Sequence, residues 1–393
     1  MHVPGRPPAL RAALTGWWAG CALVLLVSLA LACGEGRPQG VQPPGGGATA
    51  PAGSTPAASA SPTLGAELSL MLVQEFGQNA DTLRLVDPRD PSRSRTVLTI
   101  EHAEGWGART ALSPDGRRVA YVVLPRGARD DRRQAELWVA SLEGGSPSRQ
   151  ATEIDLRGGV LWAADGSAVF ARRSTADAPQ LVRVDQGGTT EPRVIAAASG
   201  AASLTLAGAH GRYIYWSEVS QQTGQSVLKS YDLQSGQIAT VVTLAGEPAR
   251  DLALSPDGAR LAFTGSSTFK AYLTDLGDRS VVELPTGGQP ALRPAWLPDA
   301  SAVAFGLAPA GGQPGRVVLF QQGAARDLIS LQRGFLQPLV WAPDGSSLVC
   351  YYYTGTISNP GTPALVTVGR DGRQAPLSLS GEVEVVGWAR GRL

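Results

Sequence analysis

The residues best suited to binding chemistry are arginines and carboxylates placed before, or at the start of, short apolar segments. The set comprises Arg109, Arg157, Arg250, Asp251, Arg293, Arg333 and Glu384. Guanidinium groups bind oxyanions through paired N–H donors, so several of them around one opening suit a carboxylate, a phosphate or a glycan acid. The alternative interpretation is that polar side chains simply line a wet opening.

Other kinds of chemistry have little support in the sequence. The 393 residues include only 3 His and 3 Cys, too few for a disulfide framework and poor material for a histidine metal site. His102 lies between Glu101 and Glu104, a weak signal for metal or acid–base chemistry, and we expect an ordinary solvated loop there. No G-x-S-x-G motif is present, and only Asp251 and Glu384 could offer metal ligands from inner strands. We therefore predict no catalytic residue, no metal site and no cofactor.

One cysteine, Cys33, follows an uncharged apolar segment that begins after Arg6 and Arg11. Residues 29–32 read LALA, and this arrangement resembles the lipobox of bacterial lipoproteins. The resemblance implies that residues 1–32 are a signal peptide and that Cys33 receives a diacylglycerol by a thioether bond. Its acyl chains would anchor the protein in a membrane, at about 0.8 kcal/mol for each buried CH₂. An uncleaved transmembrane anchor and a plain secretory signal are the alternatives.

Residues 33–66 consist mainly of Gly, Pro, Ala, Ser and Thr. Such a segment cannot bury enough apolar surface to offset its ordering entropy, so it is predicted to be a disordered tether. Together with the lipobox, it predicts an exported protein anchored to the outer face of the cytoplasmic membrane or to the outer membrane. The formal net charge of +1 provides no field for long-range attraction of nucleic acid.

The remaining residues, 67–393, contain a repeated turn that must position the charged side chains. The turn is clearest as SPDG at residues 113–116 and 255–258, between two short apolar segments. Degenerate copies lie within residues 161–171, 206–216, 295–306, 340–351 and 387–393. In such a turn Pro presets φ, Asp hydrogen-bonds the local backbone, and Gly accepts a positive φ.

A second, Gly-containing turn alternates with the first, so each unit contains four short strands. The units recur about every 47 residues, and four-stranded propeller blades need about 40–50. The first unit lacks its first strand, and residues 382–393 supply one. We therefore predict an all-β propeller of seven four-stranded blades, closed by a C-terminal strand in the N-terminal blade. A six-bladed ring is the alternative.

The repeats resemble those of the WD40-like, TolB-like (PD40) propeller family, which implies a propeller over residues 67–393. That family usually has six blades, whereas the turns here number seven. We interpret one recurring set, the turn aspartates, as turn-forming residues rather than a carboxylate ring: Asp115, Asp165, Asp257, Asp299 and Asp344. A second set is predicted to pack between blades: Trp162, Trp296, Trp341 and Trp388.

These observations favour a binding module of the cell envelope. We expect a monomeric propeller, attached to a membrane by acyl chains, that presents one face of loops to another envelope protein, a glycan or an anionic ligand. The mixed-charge stretch 126–133 is interpreted as a solvated hairpin tip or a partner contact. Two alternatives stay open: a propeller enzyme of hydrolase or lyase type with its site at the tunnel mouth, and a scaffold subunit of an envelope complex.

Overall fold

The alternation of turns and short strands produces seven antiparallel sheets of four strands each in the computed structural model. The structure describes residues 70–393 except 129–130, 176–177, 188–190, 199, 245 and 380. The predicted signal peptide, Cys33 and the predicted tether therefore lie outside the described residues. Two short 3-10 turns, Arg132–Gln134 and Leu156–Gly158, interrupt the strands of the described part.

Each sheet is one blade, and its strands are given from the inner to the outer one. Blade 1 contains β28 (Val383–Ala389), β1 (Leu70–Glu75), β2 (Ala80–Asp87) and β3 (Asp90–Glu101). Blade 2 contains β4 (Arg109–Leu112), β5 (Arg118–Val123), β6 (Ala135–Ser141) and β7 (Ser148–Ile154). Blade 3 contains β8 (Val160–Trp162), β9 (Ala168–Ser174), β10 (Pro179–Asp185) and β11 (Arg193–Ala197). Blade 4 contains β12 (Ala201–His210), β13 (Tyr213–Ser220), β14 (Ser226–Asp232) and β15 (Ile238–Thr243).

The remaining three blades follow the same order. Blade 5 contains β16 (Ala249–Leu254), β17 (Arg260–Gly265), β18 (Ala271–Asp275) and β19 (Val281–Glu283). Blade 6 contains β20 (Ala291–Trp296), β21 (Val303–Leu307), β22 (Arg316–Gln321) and β23 (Ala324–Ser330). Blade 7 contains β24 (Phe335–Trp341), β25 (Ser347–Tyr353), β26 (Ala364–Gly369) and β27 (Gln374–Pro376). Neighbouring blades contact each other through their first strands, which therefore surround the axis of the ring.

The ring is closed by the last strand of the chain. β28 pairs antiparallel with β1, from Leu70 opposite Ala389 to Glu75 opposite Val383, with one bulge along the register. This pairing covers the free edge of β1 and completes the first blade. The predicted seven-bladed propeller with terminal strand closure is confirmed, and the six-bladed alternative is wrong.

The repeated turns are held by their own side chains. In the SPDG turn of blade 5, Asp257 accepts the backbone N–H of Ala259 at 3.0 Å and the hydroxyl of Ser255, while Gly258 has φ of 69°. Burial alone would raise the pKa of Asp257, but these hydrogen bonds outweigh it and hold the pKa below its usual value. Each of the other turn aspartates likewise accepts the N–H two residues further on. They form turns, as the sequence predicts.

Tryptophan side chains pack between neighbouring blades. The indole N–H of Trp162 donates to the carbonyl of Ala111 at 3.0 Å, and Trp341 donates to Ala295 at 3.2 Å. Trp296 repeats the contact, donating to a carbonyl on the inner strand of the preceding blade. Trp388 packs among apolar residues of blades 7 and 1, but its indole N–H has no partner among the described residues. Packing between blades, rather than ligand stacking, explains this set.

Candidate functional site

Two kinds of connection emerge on one face of the ring, termed the loop face below. One kind joins the outer strand of a blade to the inner strand of the next blade, and the other joins the second and third strands. Successive strands of a blade run in opposite directions, so these two connections share a face. All seven charged residues singled out from the sequence lie on inner strands or in the connections leading into them.

Arg250 and Asp251 form a locked pair at the start of β16. Arg250 Nε lies 2.9 Å from Asp251 Oδ2 and 3.3 Å from Thr264 Oγ1. The guanidinium also lies over the ring of Phe269, 4.6 Å from its centre. Asp251 has φ of 51° where the register of β16 and β17 shifts, so a strained bulge presents the pair. The two charges compensate each other.

Arg293 and Glu384 come from blades 6 and 1 but both act on Tyr351 of β25. The Tyr351 hydroxyl donates to the carbonyl of Val383 at 2.7 Å. Burial raises the pKa of Tyr351, the negative charge of Glu384 raises it further, and Arg293 partly opposes them. The structure therefore brings these two sequence-predicted residues around one phenol on the loop face.

Arg157 lies in a group of arginines whose other members are not among the seven residues singled out from the sequence. The group, termed the arginine cluster, comprises Arg132, Arg133, Arg157 and Arg172. Its members come from the two adjacent 3-10 turns of the loop face and from the neighbouring strand β9. Because Arg132 and Arg133 belong to the stretch 126–133, the mixed-charge loop contributes directly to this positive site.

A buried carboxylate organises the arginine cluster from beneath. Asp155 is 2% exposed and accepts Arg172 Nη2 at 2.9 Å, the backbone N–H of Arg157 at 2.9 Å, and the hydroxyl of Ser174. Burial alone would raise the pKa of Asp155, but the hydrogen bond from Ser174 and the charge of Arg172 outweigh it, so the pKa is lowered. Asp155 is therefore a fixed negative charge that orients the turn carrying Arg157.

The other two arginines of the set stand apart. Arg109 begins β4 and is half-buried, whereas Arg333 lies exposed in the connection before β24. Neither side chain forms an ion pair with any residue that the structure describes. The structure thus places all seven residues on one face but does not join them in one ring. Two pairs and the single Arg157 belong to three separate groups, and the remaining two arginines belong to none.

Other polar residues of the loop face hold its connections in place through hydrogen bonds. Glu247 accepts the backbone N–H groups of Ser267 and Thr268 at 3.0 Å each, and both of their hydroxyls. Gln289 accepts Arg316 Nε at 2.7 Å and donates to two backbone carbonyls. These side chains hold one connection against the next, so they are unavailable to a ligand.

His102 is the clearest correction to the sequence interpretation. The predicted solvated loop is wrong, because His102 and Asp81 are both 0% exposed and lie 3.0 Å apart, Nε2 to Oδ1. Asp81 also accepts Gln74 Nε2 at 2.8 Å and the backbone N–H groups of Ala108 at 2.7 Å and Gly77 at 3.2 Å. Asp81 and His102 are 21 residues apart, one on β2 and the other in the connection after β3, so no local pattern signals the contact.

The ring of His102 faces acceptors on both sides. Its Nδ1 lies 2.8 Å from the carbonyl of Ala103, while Nε2 faces Asp81. Both ring nitrogens therefore face acceptor atoms inside the protein, and the contacts join the connection before β4 to strand β2.

A cavity of about 580 Å³ lies beside this buried pair. Its lining includes Asn79, His102, Trp106 and Arg126, from connections of blades 1 and 2. The volume falls in the range of about 300–1,000 Å³ that is usual for small-molecule sites. Within the described parts of the chain, no three His, Cys, Asp or Glu side chains are grouped so that they could hold a metal ion. None of the helices described is long and apolar enough to cross a membrane.

No known protein family and no curated protein matches this sequence. Among solved structures, an oligogalacturonate lyase from Vibrio parahaemolyticus is similar, with 12% identity and a TM-score of 0.54 over 80% of this chain and 86% of that one. An oligogalacturonate lyase in complex with manganese gives 15% identity and a TM-score of 0.51 over 79% and 85%. TolB from Acinetobacter baumannii gives 19% identity and a TM-score of 0.46 over 66% of this chain and 62%, less than two thirds, of that one. At identities this low, the similarity to the two lyases shows the propeller fold alone.

Proposed function

We propose that this chain is a lipid-anchored, extracytoplasmic propeller that binds an anionic ligand or partner of the cell envelope through its loop face. The arginine cluster is the observation that carries the proposal. Single arginines occur on both faces of the ring, but here four guanidinium groups gather around two carboxylates, Asp131 and Asp155. Such an excess of one charge in one place attracts ligands of the opposite charge.

The opposite face offers less to a partner. Its turn aspartates are satisfied by the backbone of their own turns, so they are committed to structure. The loop face combines the arginine cluster, the Tyr351 region with Arg293 and Glu384, and a cavity between blades 1 and 2. Binding and catalytic groups are commonly carried on such loops above a rigid scaffold.

Charge reversal tests the loop face directly. We expect that Arg132→Glu combined with Arg157→Glu removes the main envelope partner recovered by crosslinking in intact cells. Arg89 and Arg117, exposed arginines in turns of the opposite face, provide a matched control as Arg89→Glu with Arg117→Glu. An unchanged partner profile in the loop-face variant, or an equal loss in the control variant, would contradict the proposal.

The anchor is proposed from the sequence around Cys33 and is tested separately. Cys33→Ser removes the thiol that would form the thioether, so the protein should move from the membrane fraction to the soluble extracytoplasmic fraction. Mass spectrometry of the unchanged protein should show a diacylglycerol on Cys33. An unmodified Cys33 in membrane-bound protein would support the alternative of an uncleaved anchor.

A further inference from the structure

The strongest unassigned feature is the charge balance of the arginine cluster. Arg133 is paired with Asp131, since its Nε and Nη2 each lie 3.0 Å from an oxygen of that carboxylate. Arg172 donates through Nη2 to Asp155 and through Nη1 to the carbonyl of Leu204 at 3.3 Å, while its buried Nε has no partner among the described residues. Four positive charges against two negative ones leave an excess of two positive charges over the described residues of the site.

That excess resides on two side chains. Neither the guanidinium of Arg132 nor that of Arg157 has a hydrogen-bond or ion-pair partner within the ranges that the structure describes. Arg157 is exposed and Arg132 is half-buried, so both can be reached by a ligand. Each guanidinium presents a rigid fork of N–H donors, the geometry that binds an oxyanion through two parallel hydrogen bonds.

The two 3-10 turns that carry these side chains contact each other, and each is capped before any ligand arrives. Asp131 caps the first 3-10 turn and accepts the N–H of Arg133, and Asp155 caps the second and accepts the N–H of Arg157. Burial and the positive charge of Arg132 lower the pKa of Arg157, and Arg172 contributes in the same direction. Asp155 partly offsets this effect, and a bound anion would offset it further.

We propose that Arg132 and Arg157 form a binding site for a phosphate monoester carried by a soluble ligand, with Asp155 and Arg172 as positioning residues. This inference rests on the proposed function and gives its ligand a chemical class. A phosphate monoester carries about −1.5 to −2 charges near neutral pH and three acceptor oxygens, which matches two forks and two excess positive charges. A carboxylate or a phosphodiester supplies one charge and leaves half of the excess unneutralised.

The experiment is titration of the full-length protein, solubilised in detergent at pH 8, by isothermal calorimetry. The probes are glycerol 1-phosphate, inorganic phosphate, D-glucuronate and dihexanoyl phosphatidylglycerol. We expect the two monoester-like dianions to bind at least tenfold more tightly than glucuronate or the phosphodiester lipid. Tighter binding of the lipid headgroup or of glucuronate would overturn the assignment, as would absence of binding by both phosphates.

Variants locate the binding to the two forks. Arg132→Gln and Arg157→Gln should each weaken glycerol 1-phosphate binding by about tenfold or more, the effect of losing a charge-assisted hydrogen-bond pair. Arg157→Lys keeps the charge but not the fork of N–H donors, so its affinity should fall between those of the unchanged protein and Arg157→Gln. The matched control, Lys270→Gln with Glu283→Gln, removes an exposed ion pair of blade 5, outside the arginine cluster, and should change affinity by less than about threefold. Equal weakening by the control would refute a site built from Arg132 and Arg157.

The outcomes separate this inference from the proposed function. Phosphate binding that depends on both arginines, together with an unchanged partner profile in cells, would retain the site and reject the partner-binding role. Loss of the partner in cells without phosphate binding in calorimetry would do the reverse. Thermal melting of each variant shows whether it is folded. If Arg157→Gln has lost its fold, Arg157→Lys takes its place.

Discussion

Removal of the His102 side chain should strongly destabilise the propeller. His102→Ala withdraws a hydrogen-bond donor from Asp81 while leaving that carboxylate fully buried. Removing the partner of a buried polar group costs about 1–3 kcal/mol, and more where the group left behind is charged. Asp81 keeps three other donors, from Gln74, Gly77 and Ala108, which limit this loss, while the cavity left by the buried imidazole adds to it. We expect a loss of about 3 kcal/mol in the free energy of unfolding.

The assay is urea denaturation followed by tryptophan fluorescence. With a slope near 3 kcal/mol/M, as expected at the upper end for a ring of this size, the midpoint should fall by about 1 M. His210→Ala is the matched control, because His210 lies at a turn of the opposite face and is only half-buried. The control should cost less than about 1 kcal/mol.

A double-mutant cycle with Asp81→Asn isolates the contact itself. Hydrogen bonds to charged groups contribute about 1.5–3 kcal/mol, so the coupling energy of His102 and Asp81 should lie in that range. If His102→Ala costs no more than His210→Ala, or if the coupling is near zero, the buried pair does not hold the connection before β4. The solvated-loop interpretation would then be restored.

Three further predictions concern the ring. Deleting residues 383–393 removes β28 and should abolish cooperative melting in calorimetry; a truncated chain with one sharp transition would contradict ring closure. Trp341→Phe should lower the free energy of unfolding in urea by about 1 kcal/mol more than Trp388→Phe, because of the two indoles only that of Trp341 has a carbonyl partner among the described residues. Equal losses would show that the indole hydrogen bond does not stabilise the contact between blades. The pKa of Asp257 is lower in the folded than in the unfolded protein, so its contribution to stability is present above the unfolded pKa of about 3.9 and is lost as pH falls through the folded value. The difference in melting temperature between the unchanged protein and Asp257→Asn should therefore disappear in acid. A difference that does not change with pH would contradict this.

The repeated architecture could be predicted because its causes are local. Ser255, Asp257 and Gly258 form their turn with one another and with the next few backbone groups, and the motif recurs along the chain. Counting such turns therefore counts blades. The tryptophan contacts are longer in range, but they repeat at the same place in several blades, so their phase indicates packing between blades.

The candidate site was only partly predictable because its contacts follow no repeat. Its place in a connection leading into an inner strand identified Arg157, yet the neighbouring Arg132 comes from a connection between second and third strands, whose path depends on the folded ring. The buried contact of Asp81 with His102 likewise joins strand β2 to the connection that leads from blade 1 to blade 2. Charge alone also misleads, since Arg250 looks available in the sequence but is compensated by Asp251 in the structure.

The pairing of β1 with β28 has a kinetic consequence. Every other blade forms from strands that follow one another, whereas blade 1 must recruit its inner strand from about 300 residues away, a separation that slows folding. Until β28 pairs with it, the edge of the apolar strand Leu70–Glu75 exposes unpaired N–H and C=O groups. Such an edge can pair with a strand of another chain. The hazard of misassembly is therefore confined to the interval before β28 arrives, and the same hydrogen bonds that finish the ring end that vulnerability.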